Sequence, residues 1–226
     1  MYYIIWYFQV ILILITLGCT YLTYRNDFLK KVAGRDAWLL ATICVLFTEC
    51  GYGLYLQALT LEGLNISRKI YLITGIVALL AWFVTNVSQK EAGFVFSGIF
   101  VLVTGVFVAS DKLDKYLFSS KTLCQNQYFY YIEETKNGLY YVGKMAIAVL
   151  LAITFVSILI KNDDKVSLFA GKSKVFFALA TVLPCITLAI GDLEFLKHYP
   201  IMAPILAVSM ILVQMGLYVN NKVLQK

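Results

Sequence analysis

The sequence predicts an all-α membrane protein, a seven-helix transmembrane bundle with its N-terminus out and C-terminus in, carrying a small extracellular β-hairpin between the fourth and fifth spans. Three observations predict it. The 226 residues are 61% hydrophobic and 14% charged, with a mean hydropathy of +0.79, well beyond the roughly 45–50% apolar usage of a soluble domain. The apolar residues collect into seven runs close to the roughly 20 residues that a helix needs to cross hydrocarbon. Most basic residues sit in the short connections between those runs, where they report topology.

The runs cover residues 2–22, 37–59, 70–87, 93–110, 141–160, 175–191 and 201–219. Each is expected to be helical, because backbone groups exposed to lipid must bond within their own segment. The first run has no basic stretch before it and no small-residue cleavage site after it, so it is expected to stay as a span.

Seven spans put the two ends on opposite sides. With the N-terminus outside, the inner segments hold Arg25, Lys30, Lys31, Arg35, Lys90, Lys161, Lys165, Lys172, Lys174, Lys222 and Lys226, eleven in all. The outer segments hold Arg68, Lys69, Lys112, Lys115, Lys121, Lys136, Lys144 and Lys197, eight in all, mostly in or beside one long loop. The short-loop balance therefore gives N-out and C-in. The formal charge of +6 is absorbed by this distribution and points to no nucleic acid.

That long loop, an insert at about 111–142, contains "YFYYIEETKNGLYYVGK". Residues 128–134 and 139–142 are rich in β-formers, and Asn137-Gly138 between them tolerates the positive φ of a type I′ turn. The expectation is a hairpin turning at Asn137-Gly138, with 111–127 adding a strand or a short helix. A lone two-stranded hairpin is marginal in water, so it should rest on the bundle mouth through its tyrosines.

Glu49 is the one ionisable residue deep within a run, in "LFTECGYGLYLQA", and must face the bundle interior. It is read either as a ligand, ion or coupling site or as a hydrogen bond pinning the second span to a neighbour. Gly51 and Gly53 beside it would admit a close helix approach or let this span bend, and Gln9, Asn86 and Gln214 read as interhelical polar contacts. Pro184 should kink the sixth span, whereas Pro200 and Pro204 open the seventh, where proline is tolerated. Asp192, Glu194, Lys197 and His198 crowd the connection between those two spans. Asn65-Ile66-Ser67 matches a glycosylation sequon of low specificity. Cys19, Cys44, Cys50 and Cys185 lie in apolar runs and only Cys124 lies in the long loop, with no metal-ligand spacing. Phosphate-binding glycine loops, nucleophile elbows, zinc-binding His-Glu-x-x-His and paired intramembrane aspartates do not occur. No catalytic residues, metal or cofactor are predicted.

The stretch "CGYGLYLQALTLEGLNISRKIYLITGI" resembles the seven-helix sensor region at the N-terminus of bacterial histidine kinases and diguanylate cyclases. A Gly-Tyr ends the second span, a Leu-Glu connection follows, and a basic residue with Tyr-Leu opens the third. "NGLYYVGK" resembles the family's Gly-x-Tyr entry to the fifth span, and "VLPCITLAI" its proline-bearing sixth. The chain departs from the family in lacking a glutamate soon after the Gly-Tyr and a proline early in the third span. The resemblance implies that 1–226 is a sensor domain in the bacterial plasma membrane, acting as a homodimer among lipids. It would respond to a small or membrane-derived ligand and drive a cytoplasmic output domain that these residues lack, either cut off from a longer chain, as "YVNNKVLQK" suits the start of a helical signalling linker, or supplied by a partner to a free-standing module. The residues then expected at the ligand are Glu49, Tyr52, Tyr71, Tyr140 and Asp192. A small transporter or permease, with Glu49 as coupling site, is the alternative, although the two halves show no repeat.

With the reactive native cysteines replaced, Lys136→Cys should label with an impermeant maleimide in intact cells, whereas Lys172→Cys should need permeabilisation. The reverse pattern would invert the orientation.

Overall fold

A computed structural model describes residues 2–27, 29, 35–87, 98, 115–125, 129–160, 172–190 and 201–224. Six long helices and one hairpin make up the described architecture. The elements are α1 (Tyr2–Arg25), α2 (Arg35–Gln57), α3 (Leu61–Val87), β1 (Phe118–Gln125), β2 (Tyr130–Lys136), α4 (Gly138–Ile160), α5 (Ser173–Ile190) and α6 (Met202–Leu224). Five of the helices, all but α5, are long and apolar enough to cross a membrane by length and composition, as expected of a multi-pass membrane protein. The apolar stretch of α5 is shorter, Ser173–Leu188. The predicted fourth run, 93–110, lies outside the described residues apart from Gly98.

Each helix packs on the next described helix in chain order, and α6 returns to α1, which closes a ring; α2 also touches α6 across it. Large exposed side chains such as Ile4, Ile11, Leu14 and Tyr21 on α1 form the outward, lipid-compatible surface. Inside, an aromatic knot ties three helices near one end of the bundle. Trp38 of α2 meets Trp82 of α3 edge-on at 5.0 Å and Phe177 of α5 at 5.5 Å, with Val213 and Leu217 of α6 in the same cluster. Trp82 Nε1 donates to Thr181 Oγ1 at 2.9 Å, so its polar atom is satisfied within the core.

Lipid tails offer helices no hydrophobic incentive to associate, so close packing and interhelical hydrogen bonds must hold them. Both are present. Thr48 and Thr74 share a 2.9 Å bond between α2 and α3, Gln214 of α6 donates to the Cys19 carbonyl and Thr23 Oγ1 of α1, and Ser157 of α4 donates to the Asn86 carbonyl of α3. Gln9 and Gln214 thus bridge helices as their positions suggest. Gly51 lets α2 and α3 approach so closely that a Cβ there would stand 2.9 Å from both the backbone nitrogen and Cβ of Tyr71. At Gly216 the Phe177 ring fills the corresponding space, 2.9 Å away.

The hairpin exists, but its turn is not at Asn137-Gly138. Strands β1 and β2 pair antiparallel, Leu123 opposite Ile132 and Gln125 opposite Tyr130, so the strands join between Gln125 and Tyr130. The first strand, Phe118–Gln125, falls within the polar lead-in, with residues 115–117 helical just before it. Asn137 instead stands immediately before the first residue of α4. Its backbone N–H donates to the Leu117 carbonyl at 2.8 Å, and its own carbonyl accepts the Tyr140 N–H at 3.0 Å. The physical reason is that residues 139–142 are the first turn of a continuous apolar helix, and asparagine is among the best residues for a helix N-terminus. Helix entry outcompetes the turn.

Gly51→Ala should lower the melting temperature of the detergent-solubilised chain, because the displaced contact is backbone; overpacking of this kind typically costs about 1–3 kcal/mol. Gly18→Ala, with nothing within 4 Å of the added methyl, should leave it unchanged or raised. Equal effects would mean that α2 and α3 are not in this contact.

Candidate functional site

The hairpin-facing end of the bundle collects the polar and aromatic residues that the apolar core excludes. Glu49 is fully buried there on α2. Gln9 Nε2 of α1 donates to Glu49 Oε2 at 2.7 Å and to the Glu49 carbonyl at 3.0 Å, whereas Oε1 has no hydrogen-bond partner among the described residues. Gly53, one turn on, leaves room for the Gln9 side chain and Ile13, whose atoms would lie 3.7 and 3.4 Å from an added Cβ.

Above Glu49 stands a tyrosine cluster. Tyr52 of α2 and Tyr71 of α3 stack face to face, 4.3 Å between ring centroids and 12° from parallel, and Tyr55 meets Tyr71 edge-on at 5.8 Å. Tyr140, on the first turn of α4, lies within electrostatic reach of Tyr52 and Tyr71. Its ring is 5.7 Å from Phe118 and carries the Lys136 ammonium at 4.6 Å. Four of the five sequence-predicted residues, Glu49, Tyr52, Tyr71 and Tyr140, therefore gather at one end of the bundle. Asp192 lies outside the described residues.

The hairpin is fastened over this cluster by residues that sequence reasoning passed over. Tyr55 Oη accepts the Ile132 backbone N–H at 3.1 Å. Arg68 of α3 forms an ion pair with Glu134 of β2, both side chains nearly buried at 6% and 13% exposure. Lys121 of β1 approaches the same carboxylate at 4.0 Å and donates to Asn65 Oδ1 at 3.4 Å. The sequon asparagine is thus on a helix and engaged by the hairpin. Alternation along β2 puts Ile132, Glu134 and Lys136 on one face. On β1 an irregularity between Phe118 and Ser120 shifts the register, so Phe118 and Lys121 share that face although they are three residues apart. The Phe118 ring on that face has the Arg68 guanidinium at 4.7 Å and the Lys121 ammonium at 5.4 Å.

A second feature lies deeper. A cavity of about 60 Å³, lined by residues including Ala41, Trp82, Pro184, Ser209 and Met210, sits among α2, α3, α5 and α6. It is large enough for a water or a small apolar molecule. No cluster of three or more histidine, cysteine, aspartate or glutamate side chains able to hold a metal occurs among the described residues, and all five cysteines are free.

No protein-family model matches the chain, and comparison with curated proteins gives no match.

Removing one member of a buried ion pair strands the other charge, typically at a cost of about 3–5 kcal/mol. Glu134→Gln should therefore speed hydrogen exchange across Phe118–Gln125 and Tyr130–Lys136 while leaving α1 protected. Unchanged exchange in the hairpin would mean that the pair does not hold it down.

Proposed function

We propose that this chain is a signal-receiving transmembrane module of the bacterial plasma membrane, in which a cue meeting the hairpin-capped mouth alters the far end of α6. The observation that carries this reading is the docked hairpin. Arg68, Tyr55 and Asn65 fasten it to α2 and α3, and α2 reaches α6 both directly and through the aromatic knot. A cue that binds the docked and released hairpin unequally would shift the population between them. Two packings of the bundle are then most easily reached beside Pro184, where the cavity leaves space.

In this reading the bundle has seven spans, with the N-terminus and hairpin outside. Alternation of the described helices supports it. The start of α3 lies under the hairpin, which its Asn65 and Arg68 touch, whereas α3 runs on to Val87 at the opposite end and the hairpin follows at Phe118. A further crossing between those points accounts for the change of side. The resemblance to the sensor regions of histidine kinases and diguanylate cyclases supplies the output: a cytoplasmic domain of one of those classes, working as a homodimer through α6. The ligand is a small or membrane-derived molecule taken at Tyr52, Tyr71 and Tyr140, beside Glu49.

Spin labels at Leu22→Cys and Tyr218→Cys, in a background without the native cysteines, test the transmission. Both positions are exposed near the end opposite the hairpin. Adding Glu134→Ala should shift or broaden the distance distribution between them. An identical distribution with a demonstrably released hairpin would contradict signalling by this route.

A further inference from the structure

Glu49 sits wholly inside the bundle and uses one carboxyl oxygen: Oε2 accepts from Gln9, and Oε1 has no partner among the described residues. No ion pair to it forms among the described residues, and Arg68, a cation of the neighbouring α3, is committed to Glu134. The groups facing it are neutral. Helix α1 brings the Gln9 amide, and α2 itself carries the Cys50 thiol and the Tyr52 phenol; next to Tyr52 come only further phenols, Tyr71 of α3 stacked on its ring and Tyr55 edge-on to Tyr71. At this level α6 contributes Ala203 and Ala207, packed with Leu12 and Tyr52. An ionised carboxylate here would be an unmatched charge with an unmatched acceptor, whereas the neutral acid leaves only a single O–H to place.

We propose that Glu49 is a proton-binding site: the carboxyl rests as a neutral acid with Gln9 fixing one oxygen, and it exchanges its proton with water at the hairpin end through the tyrosine-lined mouth. The step is proton transfer alone. Water at the mouth delivers the proton to the carboxylate as hydronium and takes it back when the mouth opens. A metal cation is a poorer occupant, because a hard cation wants about six oxygen ligands and the site offers one unpartnered carboxylate oxygen. This inference does not rest on the signalling reading, since a buried acid can exchange protons whether or not the hairpin responds to a ligand.

Infrared difference spectroscopy of the full chain in lipid nanodiscs, with glutamate side chains isotope-labelled, tests it. A protonated-carboxyl stretch should be present at neutral pH and disappear as the pH is raised. It should be missing in Glu49→Gln and should move to higher frequency in Gln9→Ala, which removes a hydrogen bond to the carboxyl. If Glu49→Gln does not fold, Glu49→Asp serves instead, because it removes the labelled band and adds an unlabelled one. Absence of the band at neutral pH, or its persistence in the Glu49 variants, would overturn the proposal. Its loss on adding sodium at fixed pH would also overturn it, by making the site a cation site.

Discussion

The ion pair between Arg68 and Glu134 is the interaction on which the hairpin end of this protein depends. A two-stranded hairpin buries too little to stand alone in water, and β1 and β2 have no third strand among the described residues. Their stability has to come from the bundle. The pair supplies it at a place where water is nearly excluded, the Phe118 ring shields the guanidinium, and Lys121 adds a second positive group. Everything beneath follows from that fastening: the tyrosine stack is covered, Tyr140 is brought beside it from α4, and the Ile132 amide finds the Tyr55 hydroxyl. The same burial that gives the pair its grip makes losing either partner costly, because the charge left alone stays buried.

Within the spans a different rule operates. Apolar surface gains nothing by leaving lipid for protein, so the helices are joined by glycine contacts and by single hydrogen bonds between neighbours. Most threonines in the core return their hydroxyls to the carbonyl four residues earlier, as Thr16, Thr85, Thr154 and Thr187 do, which satisfies them without linking helices. Linkage is left to a few residues such as Gln9, Thr48, Gln214 and Trp82. Few contacts of this kind, with a cavity beside Pro184, are what the proposed signalling role would need, since it calls for two packings of the bundle.

Five spans and the inward position of Glu49 were legible because hydrocarbon imposes its demands residue by residue: an apolar run of sufficient length must be helical, and a buried carboxylate must face protein. The close approach at Gly51 was legible for the same local reason. The hairpin was legible in kind but not in register. Asn-Gly suits a type I′ turn and a helix start alike, and what decides between them is whether the following tyrosines continue into an apolar helix, as Leu139 to Ile160 do. The partner strand came from the polar lead-in, whose β character the two serines, the lysine and the glutamine of 118–125 conceal. Arg68 and Glu134 carried no sequence signal of their association, since the charge balance treats an outer arginine as a topology marker and no periodicity relates residues so far apart in the chain. Only Arg68's place two turns inside α3, where a cation needs a partner or a route to water, hinted at it.

The most direct measurement of this account is a double-mutant cycle on Arg68 and Glu134, with Arg68→Gln, Glu134→Gln and both together, read from the unfolding free energy of the hairpin by hydrogen exchange at the Ile132 amide. A buried pair that fastens the hairpin to α3 predicts a coupling of about 2 kcal/mol, with the double variant little worse than either single one. Additive effects, with a coupling near zero, would show that the two charges act independently and would contradict the account.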